Sequence, residues 1–310
     1  MTLIVTLSGC SKGDKTEVHF PPHDSELIIL GNVQDAGSPH IGCKKACCVD
    51  LTKNPDESRK VVSLGLIDNN NEKTFLLEAT PDITTQLTYL KKAANFNAED
   101  LSNGVFLTHA HIGHYTGLMY YGKEAINADC IPVFAMPKMK SFLEQNGPWS
   151  QLVSQRNIEL RELTNETSVS LTNTISVTPF TVPHRDEFSE TVGYKINGQT
   201  NTALFIPDID KWSKWDKSII MEIEKVDFAF VDATFYSGDE LKTRDISQIP
   251  HPFVSETMEL FDELPDSTKN KIYFIHFNHT NPLLNPESNA SKEVLNRGYH
   301  IARLGDTFDL

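Results

Sequence analysis

Residues 108–118, with the sequence THAHIGHYTGL, contain three of the eleven histidines of this 310-residue chain. They directly follow the apolar run 105–107 (VFL), which predicts the end of a buried strand. His109 and His111 are two residues apart, so their rings leave one face of a strand or converge in a tight turn, and His114 follows where a helix can begin. Neutral imidazole is a good ligand for zinc, iron, copper and nickel. The stretch therefore predicts a transition-metal site at a strand-to-helix junction; the alternative is three unrelated surface histidines.

Further histidines and aspartates follow other apolar runs. His184 follows the run 178–183 (TPFTVP), Asp208 follows ALFIP, Asp232 follows FAFV and His276 follows IYFI. Runs of this length and composition predict strands. Each of these four side chains is therefore a candidate to lie at a strand end beside the histidine-rich stretch. Asp210 is less favoured than Asp208, which directly follows its strand.

The stretch 108–118 resembles the H-x-H-x-D-H motif of the metallo-β-lactamase fold superfamily. Within it, the chain is most similar to the pyrroloquinoline-quinone biosynthesis protein B-like group. The resemblance covers about residues 26–310, and the strand-end residues occur in the order of the later superfamily motifs. It implies an α/β fold, a metallo-β-lactamase-like αββα sandwich of two mixed β-sheets flanked by helices.

The resemblance also implies a set of ligands. A first ion would be held by His109, His111 and His184, and a second by His114, Asp208 and His276. Asp208 would also hold the attacking hydroxide, and His279 would be a substitute ligand or a catalytic contact to the substrate. The motif aspartate, normally a ligand of the second metal, is replaced by Gly113, which has no side chain. The expected content of this site is one or two zinc ions, with iron as the alternative.

Two aspartates are expected to support the ligands. Asp82, in the segment 79–83 (ATPDI), resembles the acidic residue of the first superfamily motif and would accept a hydrogen bond from a ligand histidine. It also fits the N-cap of a helix that begins at Ile83. Asp232 would support the metal site or face the substrate, and His251, in the loop after it, would line the pocket or simply occupy a turn.

Three of the five cysteines lie within six residues, at Cys43, Cys47 and Cys48, with His40 just before them. Thiolates and an imidazole can close a structural zinc site. The related group has a zinc-binding cysteine cluster after the same loop, although its spacing is closer to C-x-C-x-x-C. A disulfide and free cysteines are the alternatives.

Residues 1–10 (MTLIVTLSGC) resemble the end of a bacterial lipoprotein signal, in which Cys10 becomes the lipidated first residue. No lysine or arginine precedes the short apolar run, and an ordinary N-terminal strand is the alternative. We therefore expect residues 1–25 to be a signal remnant and tether and residues 26–310 to be one metallo-β-lactamase-like domain. The expected location is the cell envelope, on the periplasmic side, with membrane contact only through a lipid anchor on Cys10.

The formal charge of -14 argues against non-specific nucleic-acid binding, which needs a basic surface. The expected function is a metal-dependent hydrolase that uses a metal-bound hydroxide on an ester, phosphodiester, lactone or lactam of small size. The sequence contains no G-x-S-x-G motif, the pattern that would indicate a serine nucleophile. Two alternatives remain: an iron-dependent oxidative enzyme related to quinone-cofactor biosynthesis, and a non-catalytic metal-binding lipoprotein.

Overall fold

The structure is a computed structural model that describes residues 24–185, 187–241 and 249–310. Cys10 and the proposed tether up to residue 23 lie outside these ranges, so lipid attachment stays a prediction. Within the described ranges, no helix has both the length and the apolar character that a bilayer-spanning segment needs.

Strands and helices alternate along most of the chain, as an α/β protein requires. The fourteen strands described are β1 Ser25–Gly31, β2 Ser63–Asp68, β3 Lys73–Leu77, β4 Val105–Phe106, β5 Ile131–Ala135, β6 Ile158–Glu162, β7 Val169–Ser170, β8 Ser176–Thr181, β9 Val192–Asn197, β10 Thr202–Ile206, β11 Phe228–Asp232, β12 Ile272–Ile275, β13 His300–Ile301 and β14 Thr307–Asp309. The α-helices in the same ranges are α1 Ala46–Lys53, α2 Ile83–Ala93, α3 Ile112–Tyr115, α4 Pro137–Gln145, α5 Trp149–Ser154, α6 Ile219–Glu224, α7 Val254–Leu260, α8 Asp266–Lys269 and α9 Asn289–Asn296.

The strands form two seven-stranded sheets. The first has the order β14-β1-β2-β3-β4-β5-β6 and the second β13-β12-β11-β10-β9-β8-β7. Both sheets are mixed: in the first, β3 to β6 run parallel while β1 and β2 pair antiparallel. In the second, β10 to β13 run parallel while β8 to β10 pair antiparallel.

The side-chain alternation of the strands builds a four-layer sandwich. In β1, Leu27 and Ile29 pack in the core between the two sheets, whereas Ile28 and Leu30 face α2 on the outer side. The second sheet uses the same period of two: Phe205 of β10 joins the central core, and its neighbours pack towards α6, α7 and α9. Both faces of both sheets are thus buried, and the predicted αββα sandwich is confirmed.

The ends of several strands meet at one edge of the sandwich and place the candidate residues there. The histidine-rich stretch starts just after β4, and His184 follows β8 by a short loop. Parallel neighbours β10, β11 and β12 end at Ile206, Asp232 and Ile275. Ligand sites in parallel sheets form at these carboxyl ends. Within the stretch, the short α3 begins at Ile112, where the sequence allows a helix, and the 3₁₀ segment Thr116–Tyr121 follows it.

Candidate metal centre

Four of the predicted ligands converge at this edge. One donor atom from each of His109, His111, His184 and Asp208 lies within 4.8 Å of every other. His109 Nε2 is 3.3 Å from Asp208 Oδ2, and His184 Nε2 is 3.2 Å from Asp208 Oδ1. The structure therefore brings together residues that are widely separated along the chain.

The converging atoms are buried and have no hydrogen-bond partner. They are Nε2 of His109, His111, His114, His184 and His276, and Oδ1 of Asp208. A buried polar atom left without a partner costs about 1–3 kcal/mol, so a cluster of them is unfavourable in an otherwise well-packed protein. Imidazole and carboxylate donors of this kind suit a divalent ion such as zinc. Metal ions at this edge would satisfy these atoms, and the donor set fits them.

Hydrogen bonds on the opposite ring nitrogens orient the histidines. His184 Nδ1 lies 3.2 Å from Asp210 Oδ1, and His276 Nδ1 lies 2.9 Å from Thr234 Oγ1. Partners of this type fix the tautomer, leaving the other nitrogen free to bind an ion. Asp210, the less favoured aspartate of the sequence analysis, thus orients a histidine while Asp208 faces the cluster.

A buried carboxylate that was not predicted from the sequence lies beside His114. Glu78, directly after β3, places Oε2 3.3 Å from His114 Nδ1, and both side chains are fully buried. Burial alone lowers the pKa of His114, but the attraction of Glu78 outweighs it and raises that pKa to about 9. The available signal was position, since Glu78 is an acid at a strand end like Asp208 and Asp232.

Asp82 does not touch any ligand histidine, which corrects the prediction that it orients one. Its Oδ2 accepts a hydrogen bond from the backbone N–H of Val61 at 2.8 Å, and Lys60 Nζ lies 4.0 Å from its other oxygen. Asp82 does occupy the N-cap position of α2, but its side chain makes no capping hydrogen bond. It is turned towards the loop before β2, whereas Glu78 is the carboxylate that lies against a ligand histidine.

A second group of donors contains a residue that the sequence analysis did not consider. One donor atom each of Asp35, His114 and His276 lies within 4.8 Å of the other two. Asp208 was expected to complete this group, and its Oδ2 lies 3.9 Å from His114 Nε2. Asp35 lies in the glycine-containing loop after β1, and nothing in its local sequence marks it as a ligand.

Asp232 holds His251 at the edge of the cluster. His251 Nδ1 lies 2.8 Å from Asp232 Oδ2 and 3.2 Å from Asp208 Oδ1. Asp232 Oδ1 also accepts hydrogen bonds from the backbone N–H and the hydroxyl of Thr234. Burial lowers the pKa of His251, but the two carboxylates outweigh burial and raise it well above its ordinary value. Asp232 thus contacts His251 at the edge of the centre, and His251 lies with Asp208 and Asp232 rather than in an isolated turn.

The cysteine cluster forms a separate group of donors with His279. Donor atoms of Cys43, Cys47, Cys48 and His279 lie within 4.8 Å of one another, and none of these cysteines is in a disulfide. This corrects two predictions. His40 is not in the group, and its Nδ1 bonds to the carbonyl of Ile41 at 2.8 Å.

The second correction concerns His279 as a substitute ligand, because it belongs to the cysteine group instead of standing beside Asp208, although it also lines the cavity described below. The chain turns sharply after β12, where the N–H of Asn281 donates to the carbonyl of Asn278 at 2.8 Å. His276 and His279 therefore face different donor groups. The ring of His40 packs against that of His279, with 4.5 Å between the centroids.

A cavity of about 770 Å³ opens beside the centre. His251, Thr234 and Asp210 line it on the side of the centre, and Lys45 and Arg185 add positive charge to its wall. This volume suits a small molecule. A second cavity of similar size, between α2 and residues 96–126, contains none of the residues of the centre.

Comparison with known proteins identifies a family and relatives that match most of this chain. The family described as β-lactamase superfamily domain matches residues 73–277. Coenzyme PQQ synthesis protein B of Klebsiella pneumoniae (strain 342) is 25% identical over 307 residues, covering 89% of this chain and 95% of that protein. The protein of the same name from Gluconobacter oxydans (strain 621H) is 24% identical, covering 92% of this chain and 98% of its own length.

Solved structures share the fold over nearly the whole chain. The crystal structure of Zn(2+)-bound PqqB from Methylobacterium extorquens has a TM-score of 0.73 at 21% identity, covering 92% of this chain and 100% of that one. A diphosphatase from the PhnP family has a TM-score of 0.60 at 20% identity, covering 92% and 96%. The resemblance to the superfamily and to the protein B-like group is confirmed. With its motif residues gathered at one edge of an αββα sandwich, the chain belongs to the β-lactamase superfamily.

Proposed function

We propose that this protein is a metal-dependent hydrolase that acts on a small ester, phosphodiester, lactone or lactam. The observation that carries the proposal is the convergence of buried, unpartnered imidazole and carboxylate atoms beside an open cavity. His109, His111, His184 and Asp208 would hold an ion there. A divalent ion in such a site acts as a Lewis acid and makes water a better nucleophile at neutral pH. The zinc in the related PqqB structure supports zinc as the metal.

His251 is placed to handle the proton of the reaction. Asp232 holds its Nδ1 at 2.8 Å, and the ring lines the cavity. A histidine fixed on one nitrogen by a carboxylate can donate a proton from the other nitrogen. We therefore assign His251 Nε2 as the proton donor to the leaving group, with Asp232 as the residue that positions it. The cavity wall carries Lys45 and Arg185 together with Asp210 and Glu240, so polar substrates fit it whatever the sign of their charge.

The first test is hydrolysis by chelator-treated protein, with a phosphodiester, a carboxylic ester, a lactone and a β-lactam as substrates. At least one substrate should be hydrolysed by the untreated protein, and chelation should abolish turnover until zinc is restored. His109→Ala should lose both metal and turnover, because it removes a ligand. His300→Ala is the matched control, since His300 stacks on Tyr273 away from the centre. Full turnover by metal-free protein, or metal content insensitive to His109→Ala, would contradict the proposal.

The role of His251 is tested by His251→Ala. We expect kcat to fall by about 10²–10⁴-fold, the usual contribution of a positioned acid or base. The metal content should stay at the wild-type level, because the ligands of the first donor group are unchanged. A substrate whose leaving group needs no protonation should lose much less rate. If His251→Ala instead lowers metal content as His109→Ala does, His251 is a ligand and the assignment is wrong.

The curated relatives supply the second candidate function. Their name, coenzyme PQQ synthesis protein B, supports a link to quinone-cofactor biosynthesis, and the candidate is the expected iron-dependent oxidative enzyme of such a pathway. Elemental analysis of the purified protein separates the two candidates. Zinc that is lost in His109→Ala supports hydrolysis, and iron lost in the same variant supports the oxidative reaction. If no substrate of either kind is consumed, the third expectation, a non-catalytic metal-binding lipoprotein, becomes the favoured function.

We further propose that the cysteine group holds a structural zinc ion with Cys43, Cys47, Cys48 and His279 as ligands. Three thiols and one imidazole are a common set for closed tetrahedral zinc sites. Burial and the neighbouring thiols raise the pKa of Cys47 to about 12, so this thiol needs a cation beside it to ionise at neutral pH. A closed set of this kind leaves no position for a substrate.

A further inference from the structure

The loop after β1 occupies the space beside Gly113. A Cβ atom built on Gly113 would lie 2.4 Å from Cβ and 2.5 Å from the carbonyl oxygen of Asp35. Position 113 is where the superfamily motif has its aspartate. The side chain missing from position 113 is therefore replaced in space by the side chain and backbone of Asp35.

Backbone contacts hold Asp35 in this place. Val33 forms parallel bridges with both Val61 and Phe277, and the N–H of Gln34 donates to the carbonyl of Phe277 at 2.8 Å. Because Phe277 directly follows His276, the loop and this histidine are fixed to each other. The side-chain amide of Gln34 also donates to Asp35 Oδ1, which orients the carboxylate.

Asp35 completes a set of three donors. Its carboxylate lies with His114 and His276, whose Nε2 atoms are fully buried and have no hydrogen-bond partner. The negative charge of Asp35 also contributes to the raised pKa of His114. Two imidazoles and a carboxylate are a suitable ligand set for zinc, manganese or iron.

We propose that Asp35 supplies, from the first loop, the carboxylate ligand that Gly113 cannot supply, and so completes a second divalent-metal site with His114 and His276. The centre then holds two ions even though the motif lacks its aspartate. This arrangement requires glycine at position 113, because any side chain there would displace Asp35. This inference rests on the metal centre proposed above, and it names a residue that the superfamily motif does not contain.

The test compares the zinc content of variants after dialysis against a fixed zinc concentration. Asp35→Ala and His114→Ala should each lose about one zinc equivalent relative to the wild type, while the ion lost in His109→Ala stays bound in both. The second dissociation constant should rise at least about tenfold, since even the outer partners of metal ligands contribute that much. Ser38→Ala is the matched control in the same loop and should retain the full zinc content, because the Ser38 hydroxyl contacts Arg59 and not the donor group.

Asp35→Asn serves as a second variant that keeps the shape of the side chain, in case Asp35→Ala does not fold. Unchanged zinc content and affinity in both Asp35 variants would overturn the inference. The inference would also be overturned if the histidine centre of the wild-type protein binds a single ion, the one that is lost in His109→Ala. That second result leaves the hydrolase proposal standing, whereas the absence of any zinc sensitive to His109→Ala would overturn the proposed function itself.

Discussion

Gly113 and Asp35 show how a change at one motif position depends on a residue far away in the sequence. The missing side chain at Gly113 is not an empty space, because Asp35 fills it and leaves no room for a Cβ atom. The backbone conformations of Glu78 and His276 are a second feature at the scale of single residues. Both are non-glycine residues with positive φ, at 77° and 69°. Such backbone conformations cost of order 1–3 kcal/mol each and tend to occur at functional sites.

The close packing predicts that Gly113→Ala destabilises the protein. Forcing an added methyl group against a backbone carbonyl and a packed side chain typically costs about 1–3 kcal/mol. We expect the free energy of unfolding, measured by urea denaturation, to fall by that amount. Ile112→Ala is the control, because Ile112 is 69% exposed and should change stability by no more than about 0.5 kcal/mol. Equal stability of Gly113→Ala and wild type would show that Asp35 does not occupy this space.

At the scale of elements, the strand ends of the two sheets must stay in register for the centre to form. Asp68, the fully buried last residue of β2, makes a hydrogen-bonded contact between the two sheets. Its carboxylate accepts hydrogen bonds from the N–H of Asn71 at 2.9 Å and from Thr174 Oγ1 at 2.5 Å. Thr174 lies just before β8, so Asp68 joins the first sheet to the second.

Replacing Asp68 should destabilise the protein in a pH-dependent way. Burial raises the pKa of Asp68, but the hydrogen bonds from Thr172, Thr174 and Asn71 outweigh burial and lower it below its ordinary value. A depressed pKa contributes stability that is present above the unfolded pKa of about 3.9 and is lost as the pH falls through the folded value.

The measurement is urea unfolding of the wild type and Asp68→Ala at pH 7, 5 and 3. We expect a difference of about 2–3 kcal/mol at pH 7 and 5, typical of hydrogen bonds to a charged group, and a smaller difference at pH 3. Lys91→Ala is a control for a surface ion pair, whose partner Asp100 is mostly exposed. A difference that stays constant down to pH 3 would contradict the assigned role of the ionised carboxylate.

At the scale of the whole molecule, the cysteine group connects the loop after β1 to the turn after β12. Cys43 precedes α1 and His279 lies near the other end of the chain, so an ion between them would cross-link the molecule. The cysteine group also adjoins the cavity, since His40 and His279 line part of its wall. A zinc ion there would fix the wall of the substrate site without taking part in the reaction.

Cys47→Ala should therefore lose about one zinc equivalent and unfold at a lower temperature, because metal binding contributes directly to folding. Elemental analysis and thermal unfolding measure the two effects. Cys130→Ser is the matched control, since Cys130 is outside the cysteine group and should keep both the zinc content and Tm of the wild type. Wild-type zinc content in Cys47→Ala would exclude the structural site.

The sequence by itself determined the fold class, most residues of the histidine centre and the three clustered cysteines. Apolar runs that end in histidine or aspartate are local patterns, and His109, Asp208 and His276 could be picked from them because a strand always exposes its last residue at the sheet edge. The cysteines were likewise visible from their spacing.

Only the tertiary structure decided the partners of those residues. Asp35 next to Gly113, Glu78 behind His114, Asp232 behind His251 and His279 among the cysteines are contacts between distant parts of the chain. Such contacts depend on how the two sheets pack and where each loop turns, and local periodicity carries no information about either. The residue types therefore predicted a metal site, and the packing of the loops determined which residues complete it.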